Sequence, residues 1–259
     1  MSSPNSFQHK INEVRVSKKT NIVLALDPKF QTPDLLEYLN RHISELSRYL
    51  CGIKLNFHAI LPLSELELKE IVRIAHDNQV LVIADLKIND IYDTNAVIVQ
   101  RLADIGFDCA IVNPFIGRAS LISLVKFAHS INFGIISLVY MSHPDAVEGY
   151  GASILSTKST NEVGKLRKVY RVFYENSLEA QVDGIVVGGN RIDILRELSS
   201  EGKPKIPIYS PGLITQGGNI DLALEAGTTY LIIGRAIIDS QNPISVLKEI
   251  LNSVSCRMQ

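Results

Sequence analysis

Tryptophan is absent from this sequence and cysteine is scarce. The three cysteines, Cys51, Cys109 and Cys256, are widely separated, share no CxxC spacing and have no histidine cluster beside them. That pattern excludes a disulfide framework and a thiolate metal site, and it fits free thiols in a reducing cytoplasm. Cys51 and Cys109 each precede an apolar run, the setting of small buried hydrophobes rather than nucleophiles. An excess of charge of one sign is lacking too. Lys and Arg number 26 against 27 Asp and Glu, without the clustered basic footprint that nucleic acid or an anionic membrane requires. No apolar stretch approaches the ~20 residues of a transmembrane helix. The opening "MSSPNSFQHKINEVRVSKKT" has no apolar signal core. These absences leave small molecules and other protein subunits as partners, with no nucleic acid and no membrane, in the cytoplasm.

What is present is 46% hydrophobic content over 259 residues, enough for one large core. Eight short runs rich in Val, Ile and Leu read as strands buried on both faces: "NIVLALD", "CGIKLNF", "VLVIADLK", "CAIVNPF", "FGIISLVYM", "GIVVGG", "IPIYSPG" and "YLIIGRAII". Between them lie helical patterns. "SELELKEIVRIAHDNQ" sets Leu66, Ile71 and Ile74 near helical spacing and opens with Ser64 as N-cap and Glu67 three residues on. "DTNAVIVQRLADIG", "RASLISLVKFAHSI", "TNEVGKLRKVYRVFYENSLEAQ", "RIDILRELSSEG" and "NPISVLKEILNSVS" follow, with a shorter "NIDLALEAG".

This alternation predicts an α/β fold, a (β/α)8 TIM barrel over residues 21–259 as a single catalytic domain, behind a polar N-terminal extension at residues 1–20. A doubly wound sheet is the alternative. It usually carries GxGxxG after its first strand, and here that strand runs into "LALDPKF". The long polar stretch "SHPDAVEGYGASILSTKS" after the fifth strand reads as irregular.

In such a barrel, function sits where strands end. Asp27, Lys54, Asp85, Lys87, Asp90, Ser142 and Arg235 each end or closely follow an apolar run. An isolated D-x-K pair often only caps a strand. Here strand alternation puts Asp85 and Lys87 on one face, with Leu86 and Ile88 on the other, and Lys54 ends the neighbouring strand. Such an array can hold a carboxylate against a substrate while a lysine delivers a proton, which suits carbanion chemistry. At the last two strands, "SPGLITQGG" and "IIGRAII" pair Gly217–Gly218 with Gly234–Arg235, the residue types of a barrel phosphate site. "HPD" at 143–145 lacks further metal ligands, "VVGGN" reads as a tight turn, and His42, His76 and His129 read as solvated or packed helix residues. Tyr170, Phe173 and Tyr174 read as a core stripe.

D-x-K-x-x-D in "DLKINDI" with Thr94 following, together with "LALD", "MSHP", "SPGLITQGG" and "IIGRAI", resembles the orotidine 5′-monophosphate decarboxylase family over about residues 21–255. The resemblance implies cofactor-free and metal-free decarboxylation of orotidine monophosphate to uridine monophosphate in pyrimidine synthesis. It implies that Lys87 protonates C6, that Asp85 faces the substrate carboxylate, and that Lys54 and Asp90 complete the charge array. Substrate-binding roles follow for Asp27 at the ribose, Ser142 at the pyrimidine, Gln216 between phosphate and base, and Gly234 and Arg235 at the phosphate. The loop after Pro211, Gly212 to Asn219 with Gly217, would close as a lid. A homodimer is implied in which Asp90, Ile91 and Thr94 serve the partner's site. The chain departs from the family pattern in "VNPF" at 112–115 and in the long stretch at 145–160. Sister sugar-phosphate decarboxylases and aldolases share the motif but use magnesium and a glutamate on strand two, where Lys54 stands. A non-catalytic nucleotide-binding barrel would be expected to lose Asp85 or Lys87, and both are present.

Overall fold

The structure is a computed structural model and describes residues 6–155, 164–201 and 206–255. In chain order its elements are α1 (Phe7–Lys18), β1 (Ile22–Leu26), α2 (Leu35–Leu46), β2 (Gly52–Asn56), α3 (Phe57–Ile60), α4 (Glu65–Asp77), β3 (Leu81–Ile88), α5 (Tyr92–Ile105), β4 (Cys109–Val112), α6 (Arg118–Ser130) and β5 (Gly134–Tyr140). There follow α7 (Ala146–Gly149), β6 (Ser153–Leu155), β7 (Leu166–Lys168), α8 (Val169–Ala180), β8 (Gly184–Val187), α9 (Ile192–Ser200), β9 (Ile208–Ser210), α10 (Ile220–Glu225), β10 (Tyr230–Ile233), α11 (Arg235–Ile238) and α12 (Pro243–Ser255).

All eight apolar runs are strands, and they close a parallel barrel in the order β1-β10-β9-β8-β5-β4-β3-β2. Their near-continuous apolar character follows from burial on both faces, by side chains in the barrel interior and by helices outside. The expected (β/α)8 barrel is the fold observed.

The helices follow from local chemistry. At α4 the Ser64 side chain accepts from Glu67 N while Glu67 Oε2 accepts from Ser64 N at 2.7 Å, so both halves of the capping box are present. Its buried face is Leu68, Ile71, Val72 and Ala75. Leu66, expected on that face, is exposed, and Ile74 is only partly buried. Besides the one-turn α3, α7 and α11, two helices lie outside the helical segments read from sequence. One is α2, capped by Asp34 and buried through Leu39, Ile43 and Leu46.

The other is α1, within the stretch expected as a polar extension. Its Phe7 and Ile11 belong to the core. Phe7 lies so close to Gly134 that a Cβ there would come within 2.5 Å of it, so β5 must begin with glycine for α1 to dock. At the helix's other end the Lys18 ammonium donates to the carbonyls of Ser47, Leu50 and Asn78 at 2.9, 3.3 and 2.8 Å. Burial lowers its pKa.

The stretch after β5 holds a further departure. β6 and β7 pair as an antiparallel ribbon outside the barrel. The helix expected from Thr160 therefore starts only at Val169, where Leu166–Lys168 finish pairing. Residues 156–163 of that stretch, and Cys256, lie outside the described residues. Cys51 and Cys109 are fully buried free thiols, and burial pushes the Cys51 thiol up to about 12.

At the closed end of the barrel one contact recurs four times. The residue just before β2, β4, β8 and β10 donates its backbone N–H to the neighbouring strand, to Ile22, Val82, Ile135 and Ile208 in turn. Its side chain bonds the same neighbour again. Cys51 Sγ donates to Ile22 O, while Asp108 Oδ2, Asp183 Oδ2 and Thr229 Oγ1 accept from Val82, Ile135 and Ile208 N. The two aspartates also meet histidines. His76 Nε2 lies 2.9 Å from Asp108, and His129 Nε2 lies 3.0 Å from Asp183. Both histidines are thus hydrogen-bond partners of the two aspartates rather than merely solvated or packed side chains.

Candidate active site

At the other end of the barrel the strand termini enclose a cavity of about 320 Å³. Asp27, Lys54, Asp85, Lys87, Ser142, Pro211, Gln216, Gly234 and Arg235 all line it. Strand order divides the wall into three sectors. Charge comes from β1, β2 and β3. The middle sector, β4, β5 and β8, contributes Ile111, Leu138 and Val186, all buried. The loops after β9 and β10 supply glycines and Arg235.

In the charged sector four side chains alternate in sign. Lys54 Nζ lies 3.4 Å from Asp27 Oδ1 and 3.0 Å from Asp85 Oδ2, and Lys87 Nζ lies 2.8 Å from Asp85 Oδ1. Lys54 and Asp85 are buried. Burial alone would raise the Asp85 carboxyl, but the ammonium groups of Lys54 and Lys87 outweigh it and hold its pKa below the ordinary value. Burial would likewise lower Lys54, and the carboxylates of Asp85 and Asp27 reverse that and raise it. Both groups are therefore ionised through the neutral range.

Strand alternation alone does not aim Asp85 and Lys87. The β3–β4 register shifts between Ala84 and Ile88, and Lys87 has φ +47°, a left-handed backbone. The chain bulges at the motif, and this local kink turns the Lys87 ammonium onto Asp85. Backbone strain of this kind concentrates where chemistry fixes a side chain.

Asp90, Ile91 and Thr94 do not line the cavity of their own chain. All three are exposed, and Asp90 Oδ1 accepts from Ile91 N at 2.7 Å at the start of α5. Within this one chain the charge beyond Lys54 is Asp27, which reaches Lys54. Gly217 is also outside the cavity lining.

In the remaining sector the loop after β9 folds Gln216 towards Ser142. Gly212, at φ +81°, lies where a Cβ would come within 2.5 Å of Ser142 and 2.9 Å of Gln216 Oε1, so only glycine lets the three converge. Sequence reasoning missed the residue that ties this corner together. Asn190, in the "VVGGN" read as a turn, donates from Nδ2 to Ser142 O at 2.8 Å and to Gln216 O at 3.4 Å. Beside it Arg191 donates to His143 O and stands over the Tyr140 ring at 5.3 Å. A polar residue directly after a strand-end glycine pair was the available signal.

A closed parallel barrel with a charged, ligand-sized cavity at its strand C-termini defines the class: a (β/α)8-barrel enzyme. Within that class the chain belongs to the orotidine 5'-phosphate decarboxylase / HUMPS family, whose model matches residues 20–250. It is similar to the orotidine 5'-phosphate decarboxylase of Pyrococcus abyssi, at 31% identity over 90% of this chain and 98% of that protein. The crystal structure of orotidine 5'-phosphate decarboxylase from Pyrococcus horikoshii matches with a TM-score of 0.73 and 30% identity, over 90% of this chain and 99% of that one. That of the Methanocaldococcus jannaschii enzyme complexed with inhibitor BMP matches with a TM-score of 0.74 and 27% identity, over 90% and 97%.

Proposed function

We propose that this chain decarboxylates orotidine 5′-monophosphate to uridine 5′-monophosphate in pyrimidine synthesis, without metal or cofactor. The observation that carries the reading is the alternating Asp27–Lys54–Asp85–Lys87 row inside a cavity whose next wall is apolar. The phosphate binds at Gly234, Arg235 and the Gly212–Asn219 lid, where a guanidinium and backbone N–H groups suit it. Asp27 holds the ribose, Ser142 and Gln216 hold the pyrimidine, and the C6 carboxylate points at Asp85. The C6–carboxyl bond breaks, its electron pair stays on C6, and the Lys87 ammonium donates the proton that completes uridine monophosphate. Carbon dioxide leaves beside Ile111, Leu138 and Val186. Lysine charge stabilises the developing carbanion most where water is excluded, and the apolar wall provides that. Phosphate contacts far from C6 supply binding energy for lid closure. Lys54 on β2 places an ammonium where the magnesium-using sister enzymes carry a ligand, which supports the metal-free reading.

The active form we infer is a homodimer. Asp90, Ile91 and Thr94 are exposed after β3, and the exposed Phe57, Leu61 and Phe115 follow its neighbours β2 and β4, apolar surface suited to a second copy. The buried thiols of Cys51 and Cys109 support a cytoplasmic setting.

The test is direct. Purified protein mixed with orotidine monophosphate and excess EDTA should show the ultraviolet change of conversion to uridine monophosphate. Absence of conversion, or a strict need for added magnesium, refutes the reading.

A further inference from the structure

The loop after β9 contains a backbone conformation its sequence resists. Of the seven described non-glycine residues with positive φ, Ile214, at φ +67°, is the one with a β-branched side chain. Thr215 N donates to Leu213 O at 2.9 Å, so Ile214 is the centre of a γ-turn with positive φ, the rarer and strained form. A positive φ disfavours any residue with a Cβ, and branching at Cβ adds to the conflict. Burial does not compensate, because Ile214 is 44% exposed whereas its neighbour Leu213 is anchored in the core. The conformation is held by backbone bonds. Ile214 N donates to Gly218 O at 2.8 Å, Gly217 N to Ile214 O at 3.3 Å and Gly218 N to Gly212 O at 3.2 Å. The next two residues, Thr215 and Gln216, then line the cavity.

We propose that Ile214 is a positioning residue that sets the closing equilibrium of the lid: its strained turn keeps the conformation presenting Thr215 and Gln216 only partly populated until a phosphate-bearing nucleotide fills the cavity. The identity of the ligand rests on the decarboxylase reading above. When only a fraction of molecules is competent, apparent affinity falls by that fraction, so relieving the turn must tighten binding.

The decisive variant is Ile214→Asn, since among residues that carry a Cβ asparagine is several-fold enriched at positive φ, and it adds none of glycine's freedom. Ile214→Ala removes the same branched side chain but lacks asparagine's tolerance of positive φ. Two readouts apply. In the free protein, amide hydrogen exchange of the 212–219 loop, corrected for intrinsic rates, should slow about three- to tenfold in Ile214→Asn and less in Ile214→Ala. The dissociation constant for uridine monophosphate should fall by a similar factor, again in that order. Unchanged or faster exchange in Ile214→Asn, or uridine monophosphate bound no more tightly, overturns the proposal. So does an Ile214→Ala gain equal to that of Ile214→Asn, because a lost side-chain contact would then be the cause. If the parent protein neither binds uridine monophosphate nor converts orotidine monophosphate, the decarboxylase reading fails, while the exchange measurement still decides the strain.

Discussion

Lys54 and Asp85 each sit where a lone charge would be expelled or neutralised, and each stays ionised because the other is there. Asp85 faces two ammonium groups, so its lysine neighbours outweigh its burial. These residues were legible in the sequence because charge at the end of an apolar run is rare and informative. What could not be read is the geometry that joins them. The left-handed Lys87 and the register shift beside it replace simple alternation, and Asp27, expected only at a ribose, proves close enough to Lys54 to extend the row. Asn190 was invisible for a different reason, since its partners are backbone carbonyls 48 and 26 residues away. Loss of its hydrogen bonds should cost about 1 kcal/mol of substrate binding. Asn190→Ala is therefore expected to raise KM for orotidine monophosphate roughly fivefold with a smaller change in kcat, as steady-state kinetics would show.

The helix–strand unit carries its own pH dependence. His76 and His129, each near the end of a helix, meet the aspartates just before β4 and β8. The hydrogen bond to each aspartate raises the histidine pKa, and burial only partly opposes it. A raised folded-state pKa contributes stability that is complete below the unfolded value of about 6.5 and is lost as pH rises through the folded value. Both histidines are about two-fifths exposed, so screening limits each pair to on the order of 0.5 kcal/mol. Urea unfolding should thus show the protein more stable at pH 6 than at pH 8.5, and His76→Gln with His129→Gln should flatten that difference. Eight strands were legible because burial on both faces writes long runs of Val, Ile and Leu. The ribbon of β6 and β7 was not, because Ile154, Leu155 and Leu166 are exposed and its pairing is local to an otherwise polar stretch. The start of α1 was obscured by a polar composition that hides two core residues, Phe7 and Ile11.

Across the whole molecule the two ends of the barrel divide the work. The closed end repeats one register four times, which fixes where every second strand begins. Because the residue used is cysteine, aspartate, aspartate and threonine in turn, no sequence repeat reveals it. The open end is divided by strand order into charge, apolar wall and glycine–arginine loops, so a nucleotide can present a different chemical group to each sector. Asp90, Ile91 and Thr94 are exposed and do not line that cavity, and the proposed dimer gives them to a neighbour's site. Mixing Lys87→Ala with Asp90→Asn, each inactive alone, should restore about a quarter of parental activity, since half the dimers would be hybrids with one intact site. No recovery on mixing would place Asp90 outside the shared site.

Lys87 is the residue on which the proposed reaction depends most directly. Turnover of orotidine monophosphate and binding of uridine monophosphate should be measured side by side for the parent protein and Lys87→Ala. The expected result is a loss of kcat of at least about a thousandfold with the uridine monophosphate dissociation constant changed less than about threefold, because the proposed role puts the lysine on the reacting carbon and leaves the phosphate sector intact. Turnover within about tenfold of the parent would contradict the claim that the charge row at the strand ends is the reaction centre.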